Sequence, residues 1–257
     1  FVHFQRPLEH VKPSVFTRLK IKRVSSFFCN SAFTKHFIDK TFGIYSQILY
    51  PPVELFPKKI PKQNIILHVG RFRVVERTVG MRDFKKQYLM LDVFKEMVDE
   101  GLTGWKFVMA VSVQDKDRDA FAELKNGAKG YPVEFEVNKT NSQLWEFYAK
   151  AKIYWHASGY GEDLEKNPEY AEHFGISTVE AMGAGAVPVV INAGGQKEIV
   201  TDGKNGLLWD SLEELKKRTL ELIGSEAQLE KLSQQAKKRA EDFSKEAFEK
   251  KIKGLIS

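Results

Sequence analysis

The chain has almost no means of covalent stapling: one cysteine, Cys29, in 257 residues. A single thiol excludes an intramolecular disulfide and a multi-cysteine zinc site, and it fits a reducing compartment. No apolar run reaches the roughly 18–20 residues that a membrane-crossing helix requires, and the first residues lack the pattern of a leader peptide. Internal repeats and low-complexity tracts are missing too, which sets aside solenoids and unstructured tails. Acidic residues are scarce at the start. Through residue 62 only Glu9, Asp39 and Glu54 stand against Arg6, Lys12, Arg18, Lys20, Lys22, Arg23, Lys35, Lys40, Lys58, Lys59 and Lys62.

What remains is ample for a core, since 42% of the residues are hydrophobic. Such a length and composition fit one large domain, or one domain and part of another. The basic opening segment is either a solvated face or a surface for an anion: nucleic acid, anionic lipid or a phosphorylated acceptor. No nucleic-acid-binding motif accompanies it, so an anionic membrane surface is the expected partner and nucleic acid is not. The expected location is cytoplasmic, peripheral at a membrane where that surface is used. The first residue is Phe1, and "FVHFQ" reads as the interior of a strand, so the expectation is a piece of a longer protein.

Strand-like stretches fall near 24–29, 46–50, 64–70, 105–111, 132–137, 152–157 and 187–192, and helical patterns separate most of them. Leu89, Val93, Phe94 and Met97 share one helical face, as do Leu144, Phe147, Tyr148 and Ala151. This alternation predicts an α/β fold with a parallel sheet flanked by helices. Pro51, Pro52, Pro57 and Pro61 mark a connector. The predicted division is 1–52, a remnant of one unit and its linker; 53–242, the main domain; and 243–257, a terminal helix packing back toward the first unit. Leu212, Leu215, Leu220, Ile223, Leu229, Leu232, Ala236 and Ala240, broken at Gly224 and Asp242, predict three helices after residue 210.

The most informative stretch is Glu172-His-Phe-Gly-Ile-Ser-Thr-Val-Glu180, a polar loop entering a helix. A helix starting near Gly175 presents free N–H groups and a positive dipole end, which suits a diphosphate. Glu180 then sits one to two turns into the helix and Glu172 lies in the loop before it, so two carboxylates border one cleft and accept from hydroxyls. By spacing alone, two glutamates eight apart are ordinary. "ILHVGRF" at 66–72 is a strand that delivers Gly70 and Arg71 to the carboxyl edge of the sheet, where open α/β sheets bind ligands. The helix beginning near Lys85-Lys86-Gln87 adds a second cation, from either lysine. Together with Arg71 it meets charge on a departing diphosphate without a metal.

The stretch from Glu172 through "EAMGAGAVPVVINAGGQKEIV" resembles the E-x7-E motif of retaining GT-B glycosyltransferases of the family-four type. "VGRF" followed by a helix-starting lysine resembles that family also. The first fifty residues are similar to the tail of its N-terminal domain, so the resemblance spans nearly the whole chain, with the rest of that domain not represented. The fold it implies is GT-B: a Rossmann-like parallel sheet flanked by helices, a remnant of a second Rossmann-like domain, and a helical C-terminus. It implies that Glu172 meets hydroxyls of the donor sugar and that Glu180 binds the ribose. Arg71 and Lys85 assist the leaving group, with Lys86 in reserve because the intervening loop is longer than usual. Gly70, Val137, His173, Phe174, Gly175, Ile176, Ser177 and Thr178 complete the implied donor site. No cofactor and no metal are implied.

Three features stand beside this reading. The loop from Ser158 to Ala171 is extended and acidic; Glu162, Asp163, Glu165 and Glu169 lack the spacing of a calcium loop and read as solvated, with a role in choosing sugar or acceptor as the functional alternative. His156 and His173 flank it and read as structural or substrate-contacting residues. Gly183 and Gly185 follow a helix and precede a strand, the reverse of a dinucleotide fingerprint. The expected activity is transfer of a hexose from a nucleoside diphosphate sugar to a hydroxyl of a glycan, lipid or small-molecule acceptor, with retention and with this piece alone inactive. The alternatives are a nucleotide-sugar-binding module without transfer, and a GT-B epimerase.

Overall fold

The computed structural model describes residues 1–8, 11, 13–55, 60–76 and 81–256. Glu9, Lys12, Pro57, Lys58 and Lys59, named above for charge or as connector, lie outside them. Two parallel sheets are present. The smaller contains β1 (Val2–Phe4), β2 (Phe27–Cys29) and β3 (Gln47–Ile48) in that order, with α1 (Val15–Ile21) and α2 (Ala32–Phe42) between them in sequence. Helix α2 starts where Ser31 Oγ accepts the Thr34 N–H at 2.9 Å and stops at Gly43, whose φ of 62° suits a residue without Cβ.

The larger sheet begins with β4 (Gln63–Phe72), after which β5 (Val74–Glu76) and β6 (Met81–Asp83) pair as an antiparallel hairpin. There follow α3 (Gln87–Asp99), β7 (Lys106–Val113), α4 (Arg118–Gly127), β8 (Val133–Val137), α5 (Asn141–Lys150), β9 (Ala151–His156), α6 (Ile176–Gly183), β10 (Val187–Ile191), α7 (Gln196–Ile199) and β11 (Leu207–Trp209). The strand order is β11-β10-β9-β4-β7-β8, with every pair parallel. Three helices close the chain: α8 (Leu212–Ile223), α9 (Glu226–Ala240) and α10 (Lys245–Ile256).

Pleating sends alternate side chains of β4 to opposite faces, and each face is dry. Ile66 joins Phe94, Phe107, Trp155 and Leu215 on one side; Ile65 and Leu67 join Tyr148, Tyr154, Met182 and Ala236 on the other. Burial on both faces explains why the central strands read as continuous apolar runs. The chain leaves β4 toward β7 and β8, then crosses back to lay β9 on the other side of β4. That reversal opens a crevice at the carboxyl ends of β4 and β9, the point where such sheets bind ligands.

All seven strand-like stretches are strands, and three helices follow residue 210. Two features differ from the sequence reading. The segment 202–209, "DGKNGLLW", whose sequence resembles the closing hairpin-like segment of that GT-B family, instead adds β11 parallel to β10, with Val189, Val190 and Ile191 opposite Leu207, Leu208 and Trp209. A tight turn bridged between Asp202 and Gly206 precedes it, and its glycines suggest a hairpin, while the fully buried Trp209 demands a place on the sheet. The long connection after Arg71, read as a loop, contains the β5–β6 hairpin. At the junction of the two sheets Val53 bridges Ser244, and the Lys251 ammonium lies 5.5 Å over the Tyr50 ring.

Candidate functional site

A cavity of about 470 Å³ lies at the sheet reversal. Val69 and Gly70 come from the end of β4, Lys85 from the approach to α3, Asn141, Leu144, Trp145 and Tyr148 from α5, and Glu172 through Ser177 with Glu180 from the loop and start of α6. Gln5, Asn30 and Pro51 close it from the small sheet and the linker.

The loop before α6 is shaped by glycines. Gly175 stands at φ 123° as the residue before the helix, a conformation side chains rarely adopt. Gly194 and Gly195 lie beneath it: the Gly195 N–H donates to the Glu172 carbonyl at 2.7 Å, and a Cβ on Gly195 would come within 2.5 Å of the Phe174 backbone. This contact holds the loop so that the N-terminus of α6 borders the cavity.

At one end of the cavity Glu172 is clamped. Lys85 Nζ lies 2.7 Å and His156 Nε2 2.9 Å from its Oε2, and neither bond engages Oε1. Ser158 N–H approaches His156 Nδ1 at 3.4 Å, so the imidazole proton belongs on Nε2, where it donates to the carboxylate. Burial alone would push the Glu172 carboxyl up, but the Lys85 charge and the His156 bond override it and hold the group well below the usual carboxylate range. Burial pushes His156 down, so it is a neutral donor at neutral pH. Behind it, fully buried His68 has Nδ1 3.0 Å from the Trp155 carbonyl, which fixes that tautomer; burial and the neighbouring His156 push it down to about 3.

At the other end Glu180 has one strong donor, the Tyr148 hydroxyl at 2.8 Å from Oε2. Burial raises the Glu180 carboxyl and the Tyr148 bond only partly offsets that. Tyr154 lies beneath the helix start with its hydroxyl 2.7 Å from Ser177 Oγ. The cavity thus has an anion fixed by two donors at one end, a less constrained carboxylate at the other, and free N–H groups between them.

The structure brings Gly70, Lys85, Glu172, His173, Phe174, Gly175, Ile176, Ser177 and Glu180 to this cavity. Arg71 lines an adjoining one that shares Lys85, Glu172 and His173 with it. Three residues lie elsewhere. Lys86, adjacent to Lys85, adopts φ 61° and turns into the protein, where Nζ meets Glu162 Oε1 at 2.6 Å. Thr178 is fully buried, and Val137 ends β8 exposed. The Lys86–Glu162 pair also corrects the solvated reading for Glu162, whose side chain is only 4% exposed, whereas Asp163 and Glu165 on the same loop are exposed. The cause is charge neutralisation, since an unpaired carboxylate is not retained at that depth.

Sequence reasoning missed Tyr148, Trp145 and His68, because each sits in a pattern that reads as core. Gln5 and Asn30 were missed because only tertiary contact brings the small sheet to the cleft. Glu198 has a part across the junction: its carboxylate accepts the Ala32 N–H at 2.7 Å and the Phe33 N–H at 3.0 Å, capping α2.

Residues 54–239 match the family described as glycosyl transferases group 1. The chain is 28% identical over 236 residues to the GDP-Man:Man(3)GlcNAc(2)-PP-Dol alpha-1,2-mannosyltransferase of Dictyostelium discoideum, covering 85% of this chain and 44% of that protein. It is 27% identical over 227 residues to the human protein of the same name, covering 80% and 42%. The chain therefore spans less than half the length of these curated relatives. Among solved structures, Anabaena Alr3699/HepE in complex with UDP superposes with a TM-score of 0.74 at 18% identity, covering 99% of this chain and 71% of that one. The fold is the GT-B type, and the chain belongs to the glycosyl transferases group 1 family.

Proposed function

We propose that this chain is the donor-binding part of an enzyme that transfers a hexose from a nucleoside diphosphate sugar to an acceptor hydroxyl, with retention at the transferred carbon. The observation that carries the reading is the pair of carboxylates at opposite ends of one cavity with a helix N-terminus between them. Glu180 accepts from the ribose, the N–H groups at the start of α6 receive the diphosphate, and Glu172 accepts from hydroxyls of the sugar. When the bond from the sugar carbon to the phosphate oxygen breaks, its electron pair leaves with the nucleoside diphosphate. Lys85 and Arg71 meet that charge, and the acceptor oxygen forms the new bond as its proton passes to the departing phosphate. Cations at this place do the work that a divalent metal does in other transferases, so the reaction is proposed to need neither metal nor cofactor.

Relatives named for GDP-mannose and a neighbour solved with UDP leave the base of this donor open, and the acceptor is a glycan, lipid or small molecule. A membrane-bound acceptor is in keeping with α1, where Val15, Phe16 and Leu19 are exposed beside Arg18, Lys20, Lys22 and Arg23. The proposed location is cytoplasmic, at an anionic membrane face.

The test is calorimetric titration of the chain with UDP, GDP, ADP and their hexose conjugates in chelator, alongside Glu180→Ala. Binding of one conjugate, weakened by the substitution, supports the reading and names the base. No binding by any of them overturns it for this chain. Donor binding with no transfer by the full-length protein would favour a binding module, and release of an epimerised nucleotide product an epimerase.

A further inference from the structure

The adjoining cavity of about 390 Å³ is lined by Arg71, Arg73, Phe84 and Glu169 in addition to the wall it shares with the main cleft, Lys85, Glu172 and His173. Arg73, Phe84 and Glu169 come from the extended stretches that interrupt the family pattern, with Arg73 immediately before the β5–β6 hairpin. Phe84 follows the β5–β6 hairpin, and Glu169 sits in the acidic loop 158–171.

That loop is a fixed wall. Lys86 and Glu162 anchor its first half through a buried ion pair at 2.6 Å, and Tyr160 packs on Trp209 with ring centroids 5.5 Å apart. Its second half makes a short turn at Pro168–Tyr170, and Tyr170 lies against Phe84 with centroids at 5.4 Å. The carboxylate between these anchors belongs to Glu169, whose Oε2 is buried with no hydrogen-bond partner among the described residues. A buried carboxylate oxygen without a donor is costly, and it is retained where a ligand supplies the donor.

The position says which part of a ligand that is. The second cavity lies beyond Lys85, Glu172 and His173 from Glu180, on the side where the proposed donor carries its sugar. We infer that Glu169 is a specificity-determining residue that accepts a hydrogen bond from a hydroxyl of the transferred hexose, in a compartment built by the acidic loop and Phe84. This rests on the proposed nucleotide-sugar reading and adds a sugar-reading residue outside the paired glutamates. The carboxylate is a better acceptor than an amide and is matched to a hydroxyl donor, and the fixed loop holds it in place before the ligand arrives.

The experiment compares unsubstituted chain, Glu169→Gln and Glu165→Gln by calorimetry, each with UDP, GDP, UDP-glucose and GDP-mannose. Glu165 lies on the same loop, with its side chain 70% exposed, and controls for changes in loop charge. The expected result is that Glu169→Gln binds the preferred conjugate about tenfold or more weakly while its affinity for the matching free nucleoside diphosphate is unchanged. Glu165→Gln leaves both unchanged. The unchanged free-nucleotide affinity also reports an intact cleft in the variant. Parallel loss for conjugate and free nucleotide, equal effects of the two substitutions, no effect of Glu169→Gln, or an unsubstituted chain that binds conjugate no better than free nucleotide would each overturn the assignment. Failure of the unsubstituted chain to bind any nucleotide overturns the underlying reading and this inference with it, and is distinguishable from all the other outcomes.

Discussion

The two ends of the proposed donor cleft hold the same functional group in different settings. Glu172 receives a lysine and a histidine on one oxygen and is held firmly anionic; Glu180 receives one tyrosine and is raised by burial. A carboxylate clamped by two donors is prepared for the part of the reaction where geometry and charge must be maintained. One with a single neutral donor is suited to binding a hydroxyl pair and releasing it. The first end should therefore govern turnover and the second affinity.

The sharpest way to break this contrast is Glu172→Gln in the full-length protein. It keeps the shape, removes the charge between Lys85 and His156, and leaves two donors with a poorer acceptor. Transfer should fall by about a hundredfold or more in kcat, a size typical of losing a positioned charged interaction. A change confined to KM would place Glu172 with Glu180 as a binding residue. Glu180→Ala should do the converse, raising the donor KM on the order of tenfold with kcat nearly kept. An equal fall in kcat would erase the distinction between the ends.

Acidity separates the two ends without mutation. The Glu180 carboxyl is raised, so it protonates first as pH falls, and donor KM should rise before kcat declines. The linkage to stability has opposite signs. The depressed Glu172 contributes stability that is present above the ordinary carboxylate range and is lost as pH falls toward its folded value, whereas protonating the raised Glu180 favours the folded state. His156→Leu removes one of the two donors from Glu172, so the acid limb of the kcat profile should move to higher pH; His156→Gln, which keeps an N–H donor, should restore part of that shift. An unmoved limb would leave Lys85 as the sole clamp. The smallest effect belongs to Tyr148→Phe, which removes one hydroxyl from Glu180. Its cost should be about 1 kcal/mol in donor affinity, read as a change of several-fold in Kd.

The periodic, two-face-buried strands and the helices between them were legible because their patterns are local. The motif loop was legible for the same reason: Gly175, the helix start and both glutamates lie within nine residues. Partners contributed across the sheet were not. Lys85 and Glu172 are 87 residues apart, and nothing local distinguishes Lys85 from Lys86. Their difference arises from a left-handed backbone at Lys86, which sends one ammonium toward the cleft and the next into a buried pair. The same long range conceals Glu162, which reads as a surface acid until Lys86 is placed beside it, and Tyr148, whose helical spacing declares only that it is buried.

The sheet order has a kinetic meaning. Strands β4, β7 and β8 follow one another closely, but β9 must find β4 after some eighty intervening residues, with Leu67 opposite Tyr154. Parallel pairing at such separation is slow, because the chain surrenders loop entropy before contacts compensate. The cleft exists only once that strand is seated, so the proposed nucleotide donor has nothing to grip in the early stages of folding. Such a ligand acts on the finished molecule, retarding its unfolding and leaving its rate of formation unchanged.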